Sequence, residues 1–180
     1  MKDRLLKERC LRLKLILTDV DGVMTDGSIF VLPDGGEARV FNVKDGYGIF
    51  LAHAAGIETG LITGRSSVTV EKRAAALGMT VVRQGSMDKS RVFEEILAER
   101  SLEAHEVAYI GDDYPDLPLI RRVGLSAVPQ DAPMELKEAA YMILENPGGR
   151  GALREFIDAI LRAREALVPA LASLGVEIPD

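Results

Sequence analysis

Asp19-Val20-Asp21-Gly22 sets two carboxylates two residues apart, directly after the apolar run of Leu13, Leu15, Ile16 and Leu17. One of the pair could attack an electrophile while the other handles a proton. A carboxylate nucleophile suits phosphorus, because the acyl phosphate it forms is reactive enough for water to clear, and one hard displacement becomes two easier ones. As a bare string the same residues would serve equally as a turn or a cap. A second acidic group, Gly111-Asp112-Asp113-Tyr114-Pro115-Asp116, follows the β-prone run Val107-Ala108-Tyr109-Ile110. Packed beside Asp19, these oxygens would repel one another unless a cation neutralised them, and an all-oxygen site with few ligands suits Mg²⁺. The other reading is an acidic N-cap with Pro115 early in the next helix.

Thr63-Gly64-Arg65, after Gly60-Leu61-Ile62, offers a hydroxyl, an unobstructed backbone N–H and a helix start. These donors suit a phosphate, and they also make an ordinary strand-to-helix turn. Lys89 opens the helical string Lys89-Ser90-Arg91-Val92-Phe93. A cation there opposes the helix dipole unless an anion lies nearby, or else it is simply solvated. Lys44, Arg65 and Arg150 are further cations able to hold a carboxylate or phosphate, Arg150 as a bidentate donor within Gly148-Gly149-Arg150-Gly151. His53 lies in an apolar helical string and reads as packed, and His105 reads as exposed loop.

The elements that must position these residues alternate along the chain. A short amphipathic helix over 2–10 precedes the first strand. Ile29–Leu32 and Ala38–Phe41 flank Pro33-Asp34-Gly35-Gly36 and read as a β-hairpin within about 28–43. Thereafter helices near 46–55, 66–77, 88–99, 115–122, 131–139 and 150–166 interleave with strands near 57–62, 79–83, 106–110, 124–128 and 140–144. That pattern implies an α/β fold, a Rossmann-like parallel sheet with helices on both faces, and it gathers the strand-end residues at one edge. The tail past about residue 167, with Pro169 and Pro179, reads as mobile or as docking on a neighbour.

The 180 residues carry 22 Lys plus Arg against 28 Asp plus Glu, a formal charge of −6, and 47% of them are hydrophobic. This is the balance of one globular domain over 1–180. A net acidic chain argues against broad binding to nucleic acid or an anionic membrane surface, so an anionic substrate would need a locally positive site. The single cysteine, Cys10, excludes an intramolecular disulfide and a Cys-based zinc site. No apolar run approaches the roughly 20 residues that span a bilayer, and charges break the N-terminal stretch, so the expected location is the cytoplasm.

In order and chemistry these strings resemble the haloacid dehalogenase superfamily of phosphohydrolases: Asp-x-Asp-Gly, then Thr, then Lys, then Gly-Asp-x-x-x-Asp. The resemblance implies that Asp19 is the nucleophile and Asp21 the general acid/base. Thr63 and the Gly64 N–H would hold the transferring phosphoryl group and Lys89 would neutralise it. Mg²⁺ would lie among Asp19, the backbone carbonyl of Asp21 and Asp112, with Asp113 and Asp116 orienting its waters or Lys89.

Superfamily members usually insert a lid domain after the first motif or between the second and third, and neither gap is long enough here. The strings Asp19–Gly27, Asp45-Gly46-Tyr47-Gly48-Ile49, Gly111–Pro118 and Gly148–Glu155 are similar to a small lidless branch acting on phosphates of eight- and nine-carbon acidic keto sugars. That likeness runs from about 11 to 166. It implies a homotetramer in which protruding hairpins join and a neighbour roofs each site. A hairpin apolar on both arms agrees with this, although a local flap on its own domain is the other reading. A phosphatase for another small sugar phosphate, and an inactive oligomerising or regulatory module, are the competing functions; the latter would be expected to have lost Asp19, Asp21, Lys89 or Asp112.

Overall fold

A computed structural model describes residues 2–177. The chain begins with helix α1 (Lys2–Arg12) and strand β1 (Leu15–Thr18), followed by the hairpin strands β2 (Phe30–Val31) and β3 (Glu37–Ala38). Then come α2 (Val43–Ala54), β4 (Glu58–Thr63), α3 (Val68–Ala76), β5 (Val81–Gln84) and α4 (Lys89–Arg100). The remainder is β6 (Val107–Ile110), α5 (Leu117–Ile120), β7 (Leu125–Val128), α6 (Met134–Ala139), β8 (Met142–Ile143), α7 (Ala152–Ala163) and α8 (Leu167–Ser173). Six strands form one sheet in the order β5-β4-β1-β6-β7-β8, every neighbouring pair parallel. The expected α/β class is what forms, and no cap domain interrupts it.

β1 lies near the middle of the sheet, and all four of its residues are buried. Its side chains alternate between two apolar layers, as a strand covered on both faces requires. Ile16 joins a layer with Leu51, Phe156 and Ile160 from α2 and α7. Leu15 and Leu17 join Phe93, Ile96 and Leu119 from α4 and α5. Because β1 is paired on both edges and packed on both faces, the loop that follows it is held at a fixed height above the sheet.

Several boundaries differ from the sequence reading for local reasons. The final helix ends at Ala163, since Glu165 takes a positive φ of 58°, and the chain turns back. The stretch read as a mobile or neighbour-docking tail instead forms α8, which buries Leu167, Ala170 and Leu171 against its own chain. Pro169 is tolerated because it falls in the first turn, where backbone N–H groups have no intrahelical partner; Pro179 lies outside the described residues. The helix expected near 115–122 is a 3₁₀ turn, Tyr114–Asp116, leading into the single turn of α5. The hairpin ladder is short: Phe30 pairs with Ala38 and Val31 with Glu37. Beyond Ala38 the side chain of Arg39 is drawn inward to carboxylates, so the second arm leaves the ladder. Among the described residues no helix is long and apolar enough to cross a membrane.

Candidate active site

The loops after β1, β4 and β6 and the start of α4 converge at the carboxyl edge of the sheet. The Asp19 N–H donates to the Ile110 carbonyl at 2.9 Å, extending the β1–β6 pairing by one residue and fixing where its side chain emerges. Gly22, at φ +95°, allows the β6 loop to close over this turn. A Cβ there would lie 2.0 Å from Asp112 Oδ2, so glycine is required for the two acidic loops to approach. Gly148 does the same from the other side, since a Cβ would lie 1.9 Å from the Gly22 carbonyl oxygen.

Lys89 is the centre of charge. Its Nζ lies 2.9 Å from Asp19 Oδ2 and 2.5 Å from Asp116 Oδ1, and its side chain is buried. Burial disfavours the ammonium, yet Asp19 and Asp116 outweigh it and raise the Lys89 pKa above its ordinary value. The anions that would justify a lysine at a helix start are therefore present. Asp116 is fully engaged: Oδ1 accepts from Lys89 and from the Tyr109 hydroxyl at 2.5 Å, and Oδ2 accepts from the Asp112 and Asp113 N–H groups at 2.9 and 3.2 Å.

Asp112 is in the opposite condition. Its Oδ1 is buried with no partner. Burial, followed by repulsion from Asp19 and Asp116, pushes its pKa up to about 8. Burial also lifts Asp19, which Lys89 partly counters, to about 6. Carboxylate oxygens of Asp19, Asp112 and Asp116 all lie within 4.8 Å of one another. One lysine cannot neutralise three such groups, and an orphaned oxygen facing two like charges fits a hard cation. The Asp116 oxygens are committed to protein donors, and Asp19 accepts from the Val20 N–H at 2.6 Å and meets Lys89, so Asp112 Oδ1 is the open ligand atom, with Asp19 the carboxylate it faces.

The other expected residues divide. Thr63 is buried at the end of β4, two positions past the Thr18–Leu61 pair, beside the loop carrying Asp21. The Arg65 N–H donates to its Oγ1 at 3.4 Å. Gly64 abuts Met87, whose Sδ would lie 2.4 Å from a Cβ. Asp113 is exposed and caps the 3₁₀ turn through the Tyr114 N–H, making no contact with Lys89. The Arg65 guanidinium donates to Glu37 Oε1 of the hairpin at 2.8 Å. Lys44 and Arg150 line a separate surface cavity of about 430 Å³ with Arg154 and Arg162, and Asp19, Asp21, Lys89 and Asp112 are not in its lining. His53 is half-buried and shares a hydrogen bond with Thr59 Oγ1 at 2.7 Å, as a packed residue would; His105 lies in a 3₁₀ turn.

Two residues at the site escaped the sequence reading. Tyr109 places the one hydroxyl of an otherwise apolar strand beneath Asp116, a signal that Val107-Ala108-Tyr109-Ile110 did carry. Arg39, read only as part of a hairpin arm, has its side chain fully covered and donates from Nε to Asp21 Oδ1 at 2.7 Å.

A haloacid dehalogenase-like hydrolase family model matches residues 78–155. The 3-deoxy-D-manno-octulosonate 8-phosphate phosphatase KdsC of Yersinia pestis is 42% identical over 160 residues, covering 89% of this chain and 86% of that protein. Its crystal structure superposes with a TM-score of 0.88, covering 91% and 88% of the two chains. The Moraxella catarrhalis 3-deoxy-D-manno-octulosonate 8-phosphate phosphatase, solved with magnesium, phosphate and a KDO molecule, is 33% identical with a TM-score of 0.90, covering 94% and 97%.

Proposed function

Because the chain belongs to the haloacid dehalogenase-like hydrolases, in the branch without a cap domain that holds the 3-deoxy-D-manno-octulosonate 8-phosphate phosphatases, we propose that it is a Mg²⁺-dependent phosphomonoesterase. Its substrate is 3-deoxy-D-manno-octulosonate 8-phosphate or a closely related nonulosonate 9-phosphate. The observation that carries this reading is the contact of Lys89 with Asp19 beside the orphaned Asp112 oxygen. A nucleophile, a neutralising cation and a metal position thereby share one sheet edge.

Asp19 attacks phosphorus as the ester P–O bond breaks, and Asp21 gives its proton to the departing sugar oxygen. Asp21 then takes a proton from water as that water attacks the aspartyl phosphate, releasing inorganic phosphate and restoring the Asp19 carboxylate. The Thr63 hydroxyl and Gly64 N–H hold phosphoryl oxygens, and Lys89 offsets their charge. Asp116 acts on Lys89, holding the ammonium toward Asp19. The carboxylates of Asp19 and Asp112, with the main-chain carbonyl of Asp21, would hold Mg²⁺. When bound, the ion supplies positive charge against a dianionic ester, which lowers the barrier to attack by a carboxylate. Arg65 directly follows the phosphoryl-binding Thr63-Gly64 turn and is assigned to the sugar-acid carboxylate; Lys44 and Arg150 serve the same group only from a neighbouring copy.

The assembly is proposed to be a homotetramer. Phe30 and Val31, 57 and 76% exposed, lie on a two-stranded sheet that pairs with no other strand among the described residues, and Val40, 65% exposed, follows just past it, a surface suited to a second copy. A phosphatase of this substrate class would serve lipopolysaccharide biosynthesis in the cytoplasm. Steady-state phosphate release across a panel of sugar phosphates, with and without a chelator, tests the function. The highest kcat/KM is expected for the octulosonate or a nonulosonate ester, with loss of turnover on chelation; a different preferred ester overturns the substrate, and no hydrolysis of any ester with Mg²⁺ present overturns the function.

A further inference from the structure

Five side chains join the base of the hairpin to the loops after β1 and β4. From Arg39, Nε and Nη2 donate to Asp21 Oδ1 and Oδ2 at 2.7 and 3.5 Å, while Nη1 donates to Glu37 Oε2 at 3.1 Å and Ser67 Oγ at 3.3 Å. Glu37 in turn accepts from Arg65 through its other oxygen. Among the described residues no other hydrogen bond reaches the Asp21 carboxylate. Arg39 lies just past β3, and its neighbour Val40 points outward while its own side chain has no exposed surface.

We propose that Arg39 is a positioning residue for Asp21, one that makes the hairpin and the acid/base carboxylate a single mechanical unit. The inference rests on the role given to Asp21 above. A guanidinium fork with a short arm to Oδ1 and a long one to Oδ2 fixes the plane of the carboxyl group as well as its position, which a lone ammonium does not, and leaves Oδ2 as the oxygen able to carry the proton. A general acid must bring its proton within hydrogen-bonding reach of the leaving oxygen, so the direction of Asp21 governs transfer to a poor leaving group. Being fully covered, Arg39 acts through Asp21 and touches no substrate. A two-stranded hairpin is barely stable by itself, and the ion pairs of the covered Arg39 side chain tie its base to the site.

Leaving-group dependence separates positioning from mere loss of structure. An alkyl phosphate needs a proton on its departing oxygen, whereas p-nitrophenolate departs without one. In single-turnover measurements Arg39→Gln is expected to slow transfer from the sugar phosphate about tenfold more than transfer from p-nitrophenyl phosphate, with KM little changed. Asp21→Asn sets the reference pattern. Arg39→Lys keeps the buried charge without the fork, and is expected to show the same bias at smaller size; it carries the test where Arg39→Gln does not fold. Equal effects on both esters, or none, would overturn the inference alone. Wild-type protein that hydrolyses neither ester would overturn the functional reading and this inference with it.

Discussion

Lys89 Nζ and Asp19 Oδ2 lie 2.9 Å apart, the one at the start of α4 and the other past the end of β1, 70 residues away in the chain. Lys89 is buried, Asp19 is mostly covered, and Asp116 shares the Lys89 ammonium. Removing the cation therefore leaves carboxylates without their counter-charge. Lys89→Met is expected to cost about 3–5 kcal/mol in chemical denaturation, as for other broken buried pairs. With Mg²⁺ saturating, kcat is expected to fall about 10²–10³-fold. A variant as stable and active as the wild type would remove Lys89 from the account.

Tyr109 supports that pair from below. Burial, then the charges of Asp116 and Asp19, push its pKa well above the ordinary phenol range, so the hydroxyl stays a donor. Tyr109→Phe removes one bond to a charged acceptor and is expected to destabilise the protein by about 2 kcal/mol. Since Asp116 keeps Lys89 and two backbone donors, activity should drop only several-fold; a loss as large as that of Lys89→Met would mean that Tyr109 does more than brace Asp116.

The orphaned Asp112 oxygen gives a test for the metal that does not depend on turnover. The wild-type melting temperature is expected to rise with Mg²⁺, by the equivalent of about 2.7 kcal/mol at a hundred times the dissociation constant. Asp112→Asn should lose most of that rise, and without Mg²⁺ at neutral pH it should melt above the metal-free wild type, because the carboxyl, ionised when unfolded, must take up a proton to be held beside Asp19 and Asp116, and Asn does not. An undiminished Mg²⁺ response in the variant would place the ion elsewhere.

The exposed hairpin predicts the assembly. Light scattering of the wild type is expected to give four times the 19.5 kDa chain mass, and Val31→Asp, which puts a charge on a 76% exposed apolar position, should give smaller species. A wild-type monomer would contradict the tetramer, and with it any role for Lys44 and Arg150 across a subunit boundary.

What the sequence made legible was the part governed by local periodicity. Runs such as Leu15-Ile16-Leu17 and Val107–Ile110, each followed closely by acid, reveal buried strands and their carboxyl ends, which is where Asp19, Thr63 and Asp112 lie. Long-range pairing was not legible in the same way. That Arg39 turns inward to Asp21 depends on the hairpin folding back over the β1 loop, and its neighbours Ala38 and Val40 suggest only a strand arm. Asp113 and Asp116 looked alike in the text, yet one caps a turn at the surface and the other is buried under Lys89. Lys44 and Arg150 carried the right charge, but nothing local could tell which surface they would share. The α8 segment was obscured by Pro169, whose helix-breaking effect vanishes in a first turn.

The identity of the nucleophile is tested most directly by rapid quenching of the enzyme during turnover, borohydride reduction and peptide mapping. The account predicts an acyl phosphate at Asp19, recovered as a carboxyl reduced to an alcohol at that position alone, and its absence together with all turnover in a folded Asp19→Asn variant. Reduction at another acidic residue, or Mg²⁺-dependent hydrolysis surviving in Asp19→Asn, would contradict it.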